Sequence, residues 1–115
     1  MKESDLKRIC RIREYCEDIN RTIQRFGENK NLFLDDIDYY NSVSMSIMQI
    51  GELCNGLTEE FKNETGDQMQ WGLIRGMRNM FAHTYFKMDK NIIWDVATKN
   101  IPLLEMFCDK IIKNT

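Results

Sequence analysis

The sequence predicts an all-α fold: an up-down antiparallel four-helix bundle forming a single domain over residues 1–115. Three observations carry this. Apolar residues recur at intervals of three and four through most of the chain. One proline and six glycines supply few of the breaks that an all-β chain needs. The connections between periodic segments are short, which makes successive helices antiparallel neighbours.

The first helix is expected from about Ser4 to Phe26. Leu6, Ile9, Ile12, Cys16, Ile19, Ile23 and Phe26 form its apolar stripe, with Ser4 as N-cap and Gly27 as the stop. Glu28 to Asn31 reads as a polar connection. The second helix starts near Asp35 or Asp36 and reaches about Phe61, burying Ile37, Tyr40, Val43, Ile47, Ile50, Cys54, Leu57 and Phe61. Lys62 to Asp67 reads as a loop with Asn63 and Gly66. The third runs from about Gln68 to Phe86. The fourth spans about Asp89 to Lys113, and Pro102 should kink or break it one turn earlier.

Composition narrows the function classes. The chain is 43% hydrophobic and 30% charged, which is ordinary for a globular protein. No apolar run approaches the roughly 20 residues that span a bilayer, so no membrane role is expected. The opening Met1-Lys2-Glu3-Ser4-Asp5 is polar and does not read as a signal peptide. Four cysteines, Cys10, Cys16, Cys54 and Cys108, form no C-x-x-C pair, and His83 is the one histidine. A Cys/His zinc site is therefore not expected, nor any other metal or cofactor. Buried free thiols and a reducing cytoplasm are the expectation. A net charge of −2 argues against coating nucleic acid through bulk electrostatics. RNA or DNA chemistry would need a local basic cleft, for which Arg75, Arg78, Lys87 and Lys90 are candidates. Lys7, Arg8, Arg11 and Arg13 read as a solvated helix face.

The richest segment is Arg78-Asn79-Met80-Phe81-Ala82-His83-Thr84-Tyr85, on the third helix. At about 100° per residue the core stripe of that helix is Gln70, Ile74, Met77, Phe81 and Thr84, with His83 about 140° from its centre. Gly72, Gly76 and Asn79 share the His83 face. Asn79, four residues before His83, can reach the imidazole. Glycine inside a helix costs about 1 kcal/mol against alanine, so two on one face imply the close approach of another helix, from this chain or a second copy. Arg78 and His83 are five apart and diverge, whereas Arg78 and Tyr85, seven apart, share a face. The spacing fits a composite site better than a self-contained one. If two copies pair about a two-fold axis, two histidines face one ligand. A neutral imidazole can then take a ribose 2′-hydroxyl proton while a protonated one donates to the leaving 5′-oxygen. Arginine's fork matches the phosphate oxygens, and no metal is required. From spacing alone, His83 also reads as a satisfied polar residue near a helix end, and Arg78 as a surface cation.

These residues resemble a known family. Arg78-x4-His83-x-Tyr85 matches the R-x4-H-x-Y signature of HepT-like toxins, within the HEPN superfamily. Ile50-Gly51-Glu52 with Leu57 and Phe61 resembles the family's second-helix block. Trp71 followed by Gly76-Met77-Arg78-Asn79 resembles its lead into the motif, and Ile93-Trp94 with Ile101-Pro102-x-Leu104 its closing helix. The resemblance implies a HEPN-like bundle of four or five helices that forms a homodimer. It implies the toxin of a type VII toxin–antitoxin system, a metal-independent endoribonuclease with Arg78, Asn79 and His83 as catalytic residues in a dimer cleft. It further implies a minimal nucleotidyltransferase antitoxin that transfers AMP from ATP to Tyr85. A bulky anion there would occupy the cation meant for RNA phosphate. Gln70, Thr84 and Phe81 depart from the family's usual proline, acidic residue and smaller aliphatic. Glu52 is expected to be a buried carboxylate that pairs with Arg75 or Arg78 and orients the site. The alternative function is a non-catalytic nucleotide-binding or scaffold partner of the nucleotidyltransferase.

Overall fold

The computed structural model describes residues 1–84 and 89–115, with the side chains of residues 82–84 outside the description. Among the described residues there are helices and no strands. In chain order they are α1 (Glu3–Phe26), α2 (Lys30–Asp35), α3 (Ile37–Asn55), α4 (Glu59–Glu64), α5 (Trp71–Thr84), α6 (Lys90–Asp95) and α7 (Ile101–Lys113). A π-helical stretch, Val96–Asn100, joins α6 to α7. No helix among the described residues is long and apolar enough to cross a membrane.

α1 packs on α3 and α7, α3 also packs on α5, and α2 bridges α3 and α6. Ile9, Ile12, Cys16 and Ile19 of α1 meet Val43, Ile47 and Ile50 of α3 and Leu104, Phe107 and Cys108 of α7 in one core. The expected period of α1 holds, and Gly27 stops it with φ 112° while its amide donates to the Ile23 carbonyl. Such a positive φ suits glycine. The cap at the other end differs: the helix begins at Glu3, with Lys2 at the N-cap and no side-chain cap, so Ser4 lies inside the helix.

Two expected boundaries also move. The connection after Gly27 contains α2, capped by the Asn29 side chain, which accepts from the amides of Asn31 and Leu32. α2 exists to bury Phe33, fully enclosed among Tyr39, Tyr40 and Trp94. The second long helix begins after Asp36, as expected, with that carboxylate accepting from the amides of Asp38 and Tyr39. It ends at Asn55 instead of Phe61. Thr58 then caps the separate α4, its hydroxyl accepting from the Phe61 amide. Asp5, 1% exposed, accepts from the Thr58 amide at 2.9 Å and from its hydroxyl at 2.6 Å, fastening the first turn of α1 to the start of α4. Ile37, expected inside, is 58% exposed, and Tyr39 takes the interior position.

Pro102 acts where expected, by a gentler route. It lies in the first turn of α7, and the chain widens into the π stretch one turn earlier. Proline has no amide hydrogen and its ring crowds the carbonyl four residues back, so a wider turn lets the helix continue. The side of the bundle between α5 and α7 stays open as a groove of about 690 Å³, with Leu73, Met77, Leu103 and Met106 among its walls.

Candidate active site

α5 carries the arginine and is aimed by a glycine. Gly51 on α3 is buried, and a Cβ built on it would lie 3.0 Å from the Arg78 Cβ and 3.3 Å from its Cγ. A side chain at position 51 would therefore have to push the Arg78 stem away by a few tenths of an ångström, and a glycine lets α3 and α5 meet as they do. The contact orients the Arg78 stem along α3 and leaves its guanidinium beside the next residue, Glu52. Nε donates to Glu52 Oε1 at 2.9 Å and Nη2 to Oε2 at 3.4 Å, a two-pronged pair. Nη1 points toward the Asn79 side-chain oxygen at 3.4 Å. The arginine side chain is 32% exposed and the glutamate 51%.

The expected partnership between Glu52 and Arg78 is thus present, but the carboxylate is half-exposed, not buried. The reason is its place on α3, one residue past the glycine at the contact, where the helix surface turns to solvent. Arg75, the other expected partner of Glu52, pairs instead with Glu59 of α4 at 3.8 Å. An exposed ion pair contributes only about 0.2–1 kcal/mol, so the Glu52–Arg78 pair matters for where it holds the guanidinium.

The remaining faces of α5 follow from the helical period. Phe81 is buried and Ile74 and Met77 are half-buried, as expected, but Gln70 precedes the helix and is exposed. Trp71 opens the helix, and its indole N–H donates to the Thr65 hydroxyl at 3.0 Å. Among the described residues no helix of this chain lies on Gly72 or Gly76: a Cβ at either would meet nothing within 4 Å. Asn79 is exposed on the same strip. His83 falls in the last described turn of α5, but its side chain lies outside the described residues, as do Tyr85, Lys87 and the expected end of the helix at Phe86. The structure therefore brings together Arg78, Glu52 and Asn79, with Arg75 one turn away.

Sequence reasoning assigned Lys62 to a loop. It lies in α4 and is buried, in a pocket that it shares with Arg75, Trp71 and Gly51. The signal was available in Thr58-Glu59-Glu60, a capping residue followed by two acidic residues that mark a new helix start.

The cysteines are free, with Cys16, Cys54 and Cys108 buried and Cys10 half-buried. Burial pushes the Cys54 and Cys108 thiols up to about 12 and raises that of Cys16 as well, so these sulfurs stay protonated and unreactive at neutral pH. Tyr39, Tyr40 and Trp94 are core residues.

Comparison with known proteins gives a consistent picture. A family model described as "Ribonuclease HepT-like" matches residues 12–111. A protein of Caldanaerobacter subterraneus subsp. tengcongensis named as a "Putative RNase" is 37% identical over 68 residues, 59% of this chain and 60% of that protein. Another so named, from Methanocaldococcus jannaschii, is 32% identical over 71% of this chain and 67% of its own length. A "Probable ribonuclease HepT" of Thermococcus cleftensis is 24% identical over 88% of this chain and 96% of its own length. No solved structure matches the chain.

Proposed function

The chain belongs to the HepT-like ribonuclease family, and on that premise we propose that it is an endoribonuclease acting through Arg78 and His83 in a cleft between two copies. The observation that carries the proposal is Arg78 itself. It is held in a fork by Glu52, stays partly exposed, and lies on the helix that also bears the one histidine of the chain.

The reaction needs little else. Arg78 binds the non-bridging oxygens of the scissile phosphate and offsets the charge that grows on them. His83 of one copy, as neutral imidazole, takes the proton of the 2′-hydroxyl. The 2′-oxygen attacks phosphorus, and the bond to the 5′-oxygen breaks. His83 of the other copy, as imidazolium, donates its proton to that oxygen. The products are a 2′,3′-cyclic phosphate and a 5′-hydroxyl. A histidine near its ordinary pKa of about 6.5 supplies both forms at neutral pH. Asn79 orients the imidazole from one turn earlier on the same strip. No metal takes part in this scheme.

The second copy seats on the bare strip of Gly72 and Gly76. Two features support that place. Among the described residues nothing occupies the strip, and on α5 it is flanked by exposed Leu73 and Met80, an apolar margin of the kind that interfaces cover. In the cell the protein is the toxin of a toxin–antitoxin pair. Its partner is a nucleotidyltransferase that attaches AMP to Tyr85, setting a fixed anion within reach of Arg78 in competition with RNA.

The test uses purified, unmodified chain and RNA in EDTA. Cleavage to cyclic-phosphate ends is expected from the parent and none from His83→Ala, with equal helicity. Full activity in His83→Ala would refute the mechanism. RNA left intact by the parent would favour the scaffold alternative. Co-expression with a minimal nucleotidyltransferase, where one is encoded beside the chain, should add the mass of one AMP to it, and Tyr85→Phe should abolish the gain.

A further inference from the structure

The pocket beside Arg78 holds a lysine that its surroundings do not explain. Lys62 is only 8% exposed, although lysine is among the residue types least often buried. The stem is enclosed while the ammonium keeps an opening to solvent, where it can meet a close acceptor. Among the described residues its one ion pair is to Glu59 Oε1 at 3.9 Å, well beyond hydrogen-bond length. The same oxygen also faces Arg75 Nη2, at 3.8 Å. One carboxylate oxygen, on a side chain that is 74% exposed, thus serves two cations loosely.

Among the described residues the pocket has no acidic wall. Lys62 and Arg75 are its charged walls, and Asn55, Trp71 and Cys54 are among the others. The Cys54 thiol is protonated at neutral pH and adds no negative charge. The space is about 10 Å³, room for a single water or one anion oxygen and too small for a base. Gly51 closes it on the Arg78 side, so the pocket and the arginine stem lie against one glycine. Arg75 and Arg78 are three residues apart on α5, about 4.5 Å along the axis, and are neighbours on the helix surface.

We propose that Lys62 and Arg75 form a second anion subsite that holds the RNA phosphate next to the one at Arg78. The proposal rests on the ribonuclease function above. An oxyanion at the pocket mouth supplies the close acceptor that Lys62 lacks and lets Arg75 leave Glu59. The subsite acts on strand binding and register, not on proton transfer.

The experiment measures binding of a short single-stranded RNA to the His83→Ala chain over a range of salt concentrations. Lys62→Gln and Arg75→Gln should each weaken binding about tenfold at low salt. Together they should flatten the dependence of log K on log salt by about 0.7, the loss of one phosphate contact on a single strand. Replacing the flanking phosphate by an uncharged methylphosphonate should cost the parent the same factor and cost the double variant nothing more. In the active chain the two changes should raise KM and leave kcat within about twofold. Arg75 is 58% exposed, so Arg75→Gln carries the test even if Lys62→Gln folds poorly. Variants that bind RNA with the parent's affinity and salt slope would overturn the subsite and leave the ribonuclease reading standing. A parent that binds no RNA would overturn both.

Discussion

Replacing Gly76 with alanine tests the seat of the second copy through a change of sign. In the single chain the added methyl meets nothing within 4 Å among the described residues. Only helix propensity then acts, and alanine gains about 0.8–1.0 kcal/mol over glycine in a helix interior. That should raise the thermal midpoint by about 4 °C for a chain of this size. A partner backbone lying on the strip reverses the result. Extra methyl groups in a packed contact typically cost about 1–3 kcal/mol, and a two-fold axis meets the substitution twice. A loss of at least about 2 kcal/mol corresponds to a dimer roughly thirtyfold weaker. Sedimentation equilibrium gives the dimer constant, and urea unfolding of the diluted monomer gives the propensity term separately. Gly51→Ala is the internal standard, since its Cβ would lie 3.0 Å from the Arg78 Cβ and crowd that stem by a few tenths of an ångström in any assembly state. A Gly76→Ala chain that is more stable and dimerises as tightly as the parent would refute the argument. The interface would then lie elsewhere, and a groove containing two imidazoles would lose its basis.

Three further outcomes are expected. Glu52→Gln should shift stability by less than about 1 kcal/mol, because the pair is half-exposed, while lowering kcat by up to about a hundredfold as Arg78 loses its aim; unchanged kcat would remove Glu52 from the site. Asp5→Ala should cost about 3 kcal/mol in urea unfolding, since it strands the Thr58 amide and hydroxyl inside the protein, with RNA cleavage intact below the midpoint. Stability should also fall as pH rises from about 9 toward 12. The buried thiols of Cys54 and Cys108 keep their protons in the folded state over this window, while unfolded thiols lose theirs near 9, so the unfolded state binds fewer protons and gains ground. The urea midpoint measured at pH 8 and pH 10 checks the direction, and Cys54→Ala should reduce the drop.

The long elements were legible because each repeats its signal several times. The α1 stripe returns every three or four residues over Glu3–Phe26, and no local exception can outvote it. The short elements were not. α2 has six residues and one buried side chain, Phe33, which is too little for a period to show. The break between α3 and α4 was hidden because Leu57 and Phe61 continue the apolar spacing of α3 across it, and both stay in the core. What ends the helix is the Thr58 cap tied to Asp5, a contact 53 residues apart in sequence that spacing cannot reveal. The site followed the same division. Arg78 and Asn79 were picked out from neighbours on one helix and from the motif, whereas Gly51 entered only through the Ile50-Gly51-Glu52 block. The exposure of Glu52, the pairing of Arg75 with Glu59 and the burial of Lys62 all depend on how α3, α4 and α5 are set against one another.

That setting explains how one helix serves several purposes. Phe81, Ile74 and Met77 anchor α5 to the core. Going round from them in one direction come Trp71, Arg78 and Arg75, facing α3 and α4. In the other direction come Leu73, beside the open groove toward α7, and Met80. Between these flanks lies the strip of Gly72, Gly76 and Asn79, which carries no bulky side chain. At about 100° per residue, a rotation of α5 by one position would turn Arg78 into the core or into solvent and bring a side chain onto the strip. Gly51 admits the observed setting, because the Arg78 stem lies at the height where α3 has no Cβ. The same contact closes the Lys62 pocket on its arginine side. A single glycine on α3 therefore lets α5 lie where it does, and with it the cation proposed to meet the scissile phosphate and the pair proposed to hold the next.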